Sequence, residues 1–96
     1  MSAYVRLYRM TARDAEGPVL RAALETLAAA VRQIDGCQGT ELLQDCDKAG
    51  QFVLLERWTS QEAHKTGGKL LGKEAFAPVM AVLASSPEAA SLAPLD

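Results

Sequence analysis

The chain has 96 residues, 49% of them apolar and only 5% aromatic, with a net charge of −2. That length accommodates one domain over residues 1–96, and the apolar content excludes a disordered segment. Acids and bases are interspersed and no basic stripe is present, which argues against a nucleic-acid-binding surface.

Residues 3–11, AYVRLYRMT, alternate in character, with Val5 and Leu7 on one face and Arg6 and Tyr8 on the other. Period two predicts a strand. RDAEGP follows as a turn, and Pro18 suits the first position of a helix. Over 18–34, Leu20, Leu24, Leu27, Val31 and Ile34 form a helical stripe, with Arg21 and Glu25 paired on its polar side. Gly36 fits the left-handed position beyond that helix.

GTELLQD (39–45) reads as a second strand, CDKAG as a turn in which Gly50 takes a positive φ, and QFVLLERW (51–58) as a third strand. Thr59 or Ser60 can cap the next helix, and Thr59 with Glu62 has capping-box spacing. Gly67 and Gly68 are expected to end that helix. Leu70, Leu71, Phe76, Val79, Met80 and Leu83 then form a further helical pattern over 69–84, which Pro78 kinks or divides. EAASLAPLD supplies a short fourth strand, confined by Pro94 to an edge or an end.

The order β-α-β-β-α-β predicts an α+β ferredoxin-like fold, a four-stranded antiparallel sheet with both helices on one face. Phe52, Val53, Leu54 and Leu55 are apolar on both sides of their strand, so the other face also needs cover. A second copy of the chain is the expected cover, giving a homodimer joined through its sheet faces.

No apolar run approaches membrane-spanning length, and MSAYVRLYRM lacks signal-peptide architecture. A cytoplasmic protein without membrane contact is expected. Cys37 and Cys46 would bracket one strand of roughly 30 Å at ~3.3 Å per residue, too far apart for a disulfide. They lack metal-ligand spacing, so both read as reduced thiols with no chemical role. GGKLLGKE (67–74) imitates a phosphate loop, but Glu74 stands where Ser or Thr is needed and a helix precedes it.

The functional candidates gather around FVLLERWTSQEAH. His64 is the sole histidine, the side chain whose ordinary pKa suits a general base. Trp58, the sole tryptophan, ends a strand six residues earlier, and strand–helix junctions commonly border pockets. Taken singly, a lone His is commonly surface and a lone Trp commonly core. Glu56 shares the Trp58 face and could be a structural ion-pair partner or a base near a pocket. Whichever of Arg6 and Arg9 faces the helices could hold an anionic or phenolate substrate. Which sheet face Trp58 occupies stays open at this level.

The pattern of Phe52, Glu56, Trp58, Ser60 and Ala63, with DGCQGTELLQD after an amphipathic helix, resembles the antibiotic biosynthesis monooxygenase family. The resemblance implies ferredoxin-like dimers, known as dimeric α/β barrels. Family activities include cofactor-free oxygenation of polycyclic phenols to quinones, haem breakdown, isomerisation of small metabolites and quinol oxidation. Quinone-forming members carry an Asn four residues before the family Trp and a Tyr six after it. Leu54 and His64 occupy those positions here. The chain has no Asn, and Gly68 stands where haem-degrading members place a His, which argues against haem breakdown.

The resemblance thus implies a cofactor-independent monooxygenase or oxidoreductase acting on a small phenolic or quinol-type substrate. His64 would be the base, Trp58 would stack on the ring, and Tyr8, Arg6 and Glu56 would bind substrate. No cofactor or metal is called for. The alternatives are an isomerase, or another proton-transfer enzyme, acting on a small metabolite, and a non-catalytic dimer that binds a small apolar ligand or a partner protein.

Overall fold

Alternation in the first strand has a direct structural consequence. In the computed structural model, which describes residues 3–95, β1 (Tyr4–Thr11) turns Tyr4, Arg6, Tyr8 and Met10 toward the helices and Val5, Leu7 and Arg9 away. The other elements are α1 (Gly17–Arg32), β2 (Cys37–Gln44), β3 (Gln51–Trp58), α2 (Gln61–Met80) and β4 (Glu88–Leu92). The sheet order is β2-β3-β1-β4 and every neighbouring pair is antiparallel. The chain therefore has the expected α+β ferredoxin-like βαββαβ fold.

Helix α1 buries Leu20, Leu24, Leu27, Ala28 and Val31 against the sheet, as its stripe requires. The Arg21–Glu25 pair is 3.8 Å apart and well exposed, so it adds little. From β3, Phe52, Leu54, Glu56 and Trp58 point into the same layer and each is almost fully buried. The sequence ambiguity about Trp58 is resolved by this parity: its face is the helix face.

The opposite face holds Val5, Leu7, Val53, Leu55 and Ala90, all half-buried, together with the exposed Leu43 and Leu92. Arg57 and Glu41 sit 3.6 Å apart on that face. It is thus a predominantly apolar surface with no helix over it.

Several local expectations are corrected. Gly67 and Gly68 do not end a helix. Helix α2 continues through them and breaks at Gly72 (φ 75°, ψ 169°). Gly67 serves packing instead. A methyl group there would lie 2.8 Å from Ile34 Cγ2 and 2.9 Å from Trp58 Cη2. Pro78 lies inside the second segment, so the division falls six residues before it. The cap is Ser60, whose Oγ accepts from the Ala63 N–H at 3.0 Å, and not Thr59, whose backbone N–H donates to the Gly36 carbonyl. Gly36 does take a positive φ, whereas Gly50 does not.

Cys37 is half-buried, Cys46 is exposed, and both are free thiols. Among the described residues no helix is long and apolar enough to cross a membrane.

These contacts set an asymmetric expectation for two adjacent glycines. Gly67→Ala should destabilise by about 1–3 kcal/mol, because indole or Ile34 must shift. Gly68→Ala meets open space and should be neutral or stabilising by up to about 1 kcal/mol through helix propensity. Urea midpoints of the two variants provide the comparison.

Candidate functional site

The site forms where the C-terminal end of β3 meets the first turns of α2. Antiparallel register places Trp58 opposite Tyr4 of β1 and Cys37 of β2, and Glu56 opposite Arg6. The Ser60 cap starts α2 so that His64 falls one turn in, over the same corner. The His64 ring meets Trp58 edge-on at 5.5 Å between centroids and lies 5.6 Å from the Tyr4 ring. All five candidates from the sequence, Arg6, Tyr8, Glu56, Trp58 and His64, converge here.

A chain of hydrogen bonds links most of them. His64 Nε2 lies 3.2 Å from the Tyr8 hydroxyl. Arg6 Nε donates to that hydroxyl at 3.3 Å, and Arg6 Nη1 donates to Ser91 Oγ at 2.8 Å. Ser91 Oγ is also 2.7 Å from the Tyr4 hydroxyl. The Arg6 guanidinium lies over the Tyr8 ring, 5.2 Å from its centroid. Trp58 Nε1 donates to Glu56 Oε1 at 3.1 Å.

Tyr4 and Ser91 are members that sequence reasoning missed. Tyr4 shares the parity of Arg6 and Tyr8, a signal that could have found it. Ser91 needed the register of β4, which the alanine-rich segment leaves unmarked.

The electrostatics follow from burial. Desolvation, then the positive charges of Arg6 and Lys65, lowers the His64 pKa from its ordinary 6.5, so the imidazole is neutral at pH 7. Burial raises the Tyr8 pKa, as does the Glu56 charge, against the opposing pull of Arg6. Burial also raises the Glu56 pKa, against the indole hydrogen bond and the Arg6 charge. With the imidazole in its Nδ1–H tautomer, Nε2 accepts from Tyr8 while Arg6 supports the phenolic oxygen. That arrangement can take up a proton from a bound group and pass one on to His64.

Tyr8, Glu56, Trp58 and His64 line a small cavity with Val31, Ile34, Gly68, Leu71 and Phe76. Its volume is about 20 Å³, space for one water-sized molecule. Larger grooves lie elsewhere. One of about 480 Å³ at the far end of β1 and β3 is lined by Met10, Asp45, Phe52, Ser86 and Glu88 among others. It contains none of the five candidates and brings no buried titratable group to a ligand, so the small cavity is the better site despite its size. No cluster of three or more His, Cys, Asp or Glu side chains suited to a metal occurs among the described residues.

Comparison with known proteins bears on this geometry. A family model described as antibiotic biosynthesis monooxygenase matches residues 3–66. The structure of Rv0793 from Mycobacterium tuberculosis is similar, with 28% identity, a TM-score of 0.83, and coverage of 99% of this chain and 97% of that one. SnoaB, a cofactor-independent oxygenase from Streptomyces nogalater solved as a mutant, has the same fold, with 17% identity, a TM-score of 0.82, and coverage of 100% and 96%. PA3566 from Pseudomonas aeruginosa matches at 22% identity and a TM-score of 0.83, covering 100% and 97%. No curated relative matches the chain.

The buried Glu56 carboxyl gives a pH-dependent expectation. Its pKa is raised in the folded chain above the ordinary 4.5. In acid both states hold the proton. Above that value the unfolded chain releases it while the folded chain retains it, so this group costs stability as pH rises. Glu56→Gln keeps an oxygen for the indole and has no proton to lose. Its urea midpoint should therefore exceed that of the wild type at about pH 8, and the difference should shrink toward about pH 4.

Proposed function

The chain belongs to the antibiotic biosynthesis monooxygenase family, and from that premise we propose that it is a cofactor-independent oxygenase of a small phenolic or quinol-type substrate. The observation that carries this reading is the 3.2 Å hydrogen bond between Tyr8 and His64 beside the buried Trp58. SnoaB, of like fold, is itself a cofactor-independent oxygenase.

In this reading the substrate ring stacks on Trp58 and its acidic C–H faces Tyr8. A substrate proton passes to the Tyr8 oxygen as the phenolic proton moves to His64 Nε2. Neutral His64 is ready to receive it, and the Arg6 guanidinium stabilises the negative charge that the Tyr8 oxygen carries in passing. The resulting carbanion is electron-rich enough to react with dioxygen directly. One oxygen atom ends as the new carbonyl and the other leaves as water, so a methylene becomes a ketone without an external reductant.

The cavity of about 20 Å³ is closed to a ring. Substrate therefore enters with displacement of its α2 wall, Leu71 and Phe76, which flank the break at Gly72. A helix already interrupted there can move one segment without tearing a continuous hydrogen-bond ladder.

The homodimer belongs to the same proposal. The family resemblance implies a dimeric α/β barrel. The half-buried Val5, Leu7, Val53 and Leu55 on the helix-free face supply a surface for a second copy.

Two measurements check these points. Oxygen uptake with anthrone-type and hydroquinone substrates should be present in the wild type and fall by about 10²–10⁴-fold in Tyr8→Phe and in His64→Ala. Uptake that is absent, or unchanged in both variants, overturns the oxygenase. Light scattering at micromolar concentration should give twice the 10.2 kDa chain mass for the wild type. It should give the single mass for Leu7→Glu, which places a charge in the middle of the proposed interface.

A further inference from the structure

Glu56 is buried to 4% exposure, and the oxygenation steps above use it only as a wall. Burying an ionised carboxylate is costly unless a cation pairs with it. Its register partner is Arg6, but the guanidinium spends Nε on Tyr8 and Nη1 on Ser91. Among the described residues, the hydrogen bond Glu56 receives comes from the Trp58 indole, a neutral donor. That bond occupies Oε1 and leaves the other oxygen as the place for a proton. The same carboxyl lines the cavity that Tyr8 and His64 line. A proton acceptor and a carboxyl able to donate therefore border one space, which the indole also lines.

We propose that Glu56 is the general acid of this site, and that together with the Tyr8–His64 couple it catalyses oxygen-independent enolisation of a substrate bearing an acidic C–H next to a conjugated carbonyl. The C–H bond breaks as its proton passes through Tyr8 to His64, and the electron pair moves into the ring and onto the carbonyl oxygen. That oxygen forms an O–H bond with the Glu56 proton, leaving enol, carboxylate and imidazolium. The reverse path restores ketone, carboxylic acid and neutral imidazole. No oxidant or reductant is consumed. Opposed tuning of two groups in one cavity, the imidazole toward its neutral base form and the carboxyl toward its acid form, suits that division of labour. The inference rests on the site location proposed above but not on oxygen as a co-substrate.

The test is anaerobic hydrogen–deuterium exchange into the methylene of anthrone in D2O, followed by proton NMR with the full-length chain. The wild type should exceed buffer by at least about 10-fold, and Glu56→Gln should lose about 10²-fold of the rate at saturating anthrone with little change in KM. Should Glu56→Gln fail to fold, Glu56→Asp takes its place. Its carboxyl, one methylene short, should lower the saturated rate more than it raises KM. Exchange at the wild-type rate in the folded variant, or none above buffer in the wild type, overturns the proposal. Exchange that falls in Glu56→Gln, with no oxygen uptake by the wild type, supports Glu56 as acid and overturns the oxygenase. Uptake together with exchange that Glu56→Gln leaves unchanged does the reverse.

Discussion

The contact on which this structure turns is the indole of Trp58 against the bare backbone of Gly67. It fixes how closely α2 approaches the sheet. A side chain at that glycine would collide with the indole and with Ile34 of the α1–β2 connection, so one position governs the distance between three elements. Because the helix sits so low, His64 comes edge-on to Trp58 and reaches the Tyr8 hydroxyl. The tryptophan is consequently both core and site. Its six-membered ring is packed, and its N–H is reserved for Glu56.

The polar groups of the corner fall into two sets. On the β1 side, Arg6 acts as a hub that ties Tyr8 to Ser91, and Ser91 in turn meets Tyr4. This side is half-exposed and carries positive charge. On the β3 side, Glu56 accepts from the indole and is almost dry. The two sides thus differ in solvation as well as in sign. Such a gradient lets neighbouring groups hold protons that they would exchange in water. Burial, not direct ion pairing, is the first cause of the shifts at His64, Tyr8 and Glu56.

Much of this was legible in the sequence, for identifiable reasons. The Leu20–Val31 stripe and the alternation of AYVRLYRMT each have one good periodic reading, and the element order followed from them. The position of Trp58 did not, because FVLL is apolar on both parities and only pairing with β1 decides between them. Glu56, Trp58 and His64 could be named from their spacing along one strand–helix junction, and Arg6 and Tyr8 from residue type and the alternation of β1. Tyr4 and Ser91 could not be joined to them without register, and Ser91 lies 85 residues from Arg6 along the chain. The two glycines at 67 and 68 misled because a glycine needed for close approach looks, in a string of letters, like a glycine needed to stop a helix.

One further feature sets the phase of the second strand. Between Cys37 and Gly39 the register slips by a residue, so Cys37 and Thr40 both face the helices although their numbers differ by three. Beyond the slip, Leu42 faces inward opposite Leu54 and Leu43 outward opposite Val53. Both leucines would tolerate either side, so hydrophobicity cannot choose between them. The extra residue acts as the strand's clock. It lets Cys37 lie across from Trp58 at one end while Leu42 closes the core at the other. A lineage that shortened this strand by one residue would exchange its inner and outer faces and still look, by composition, unchanged.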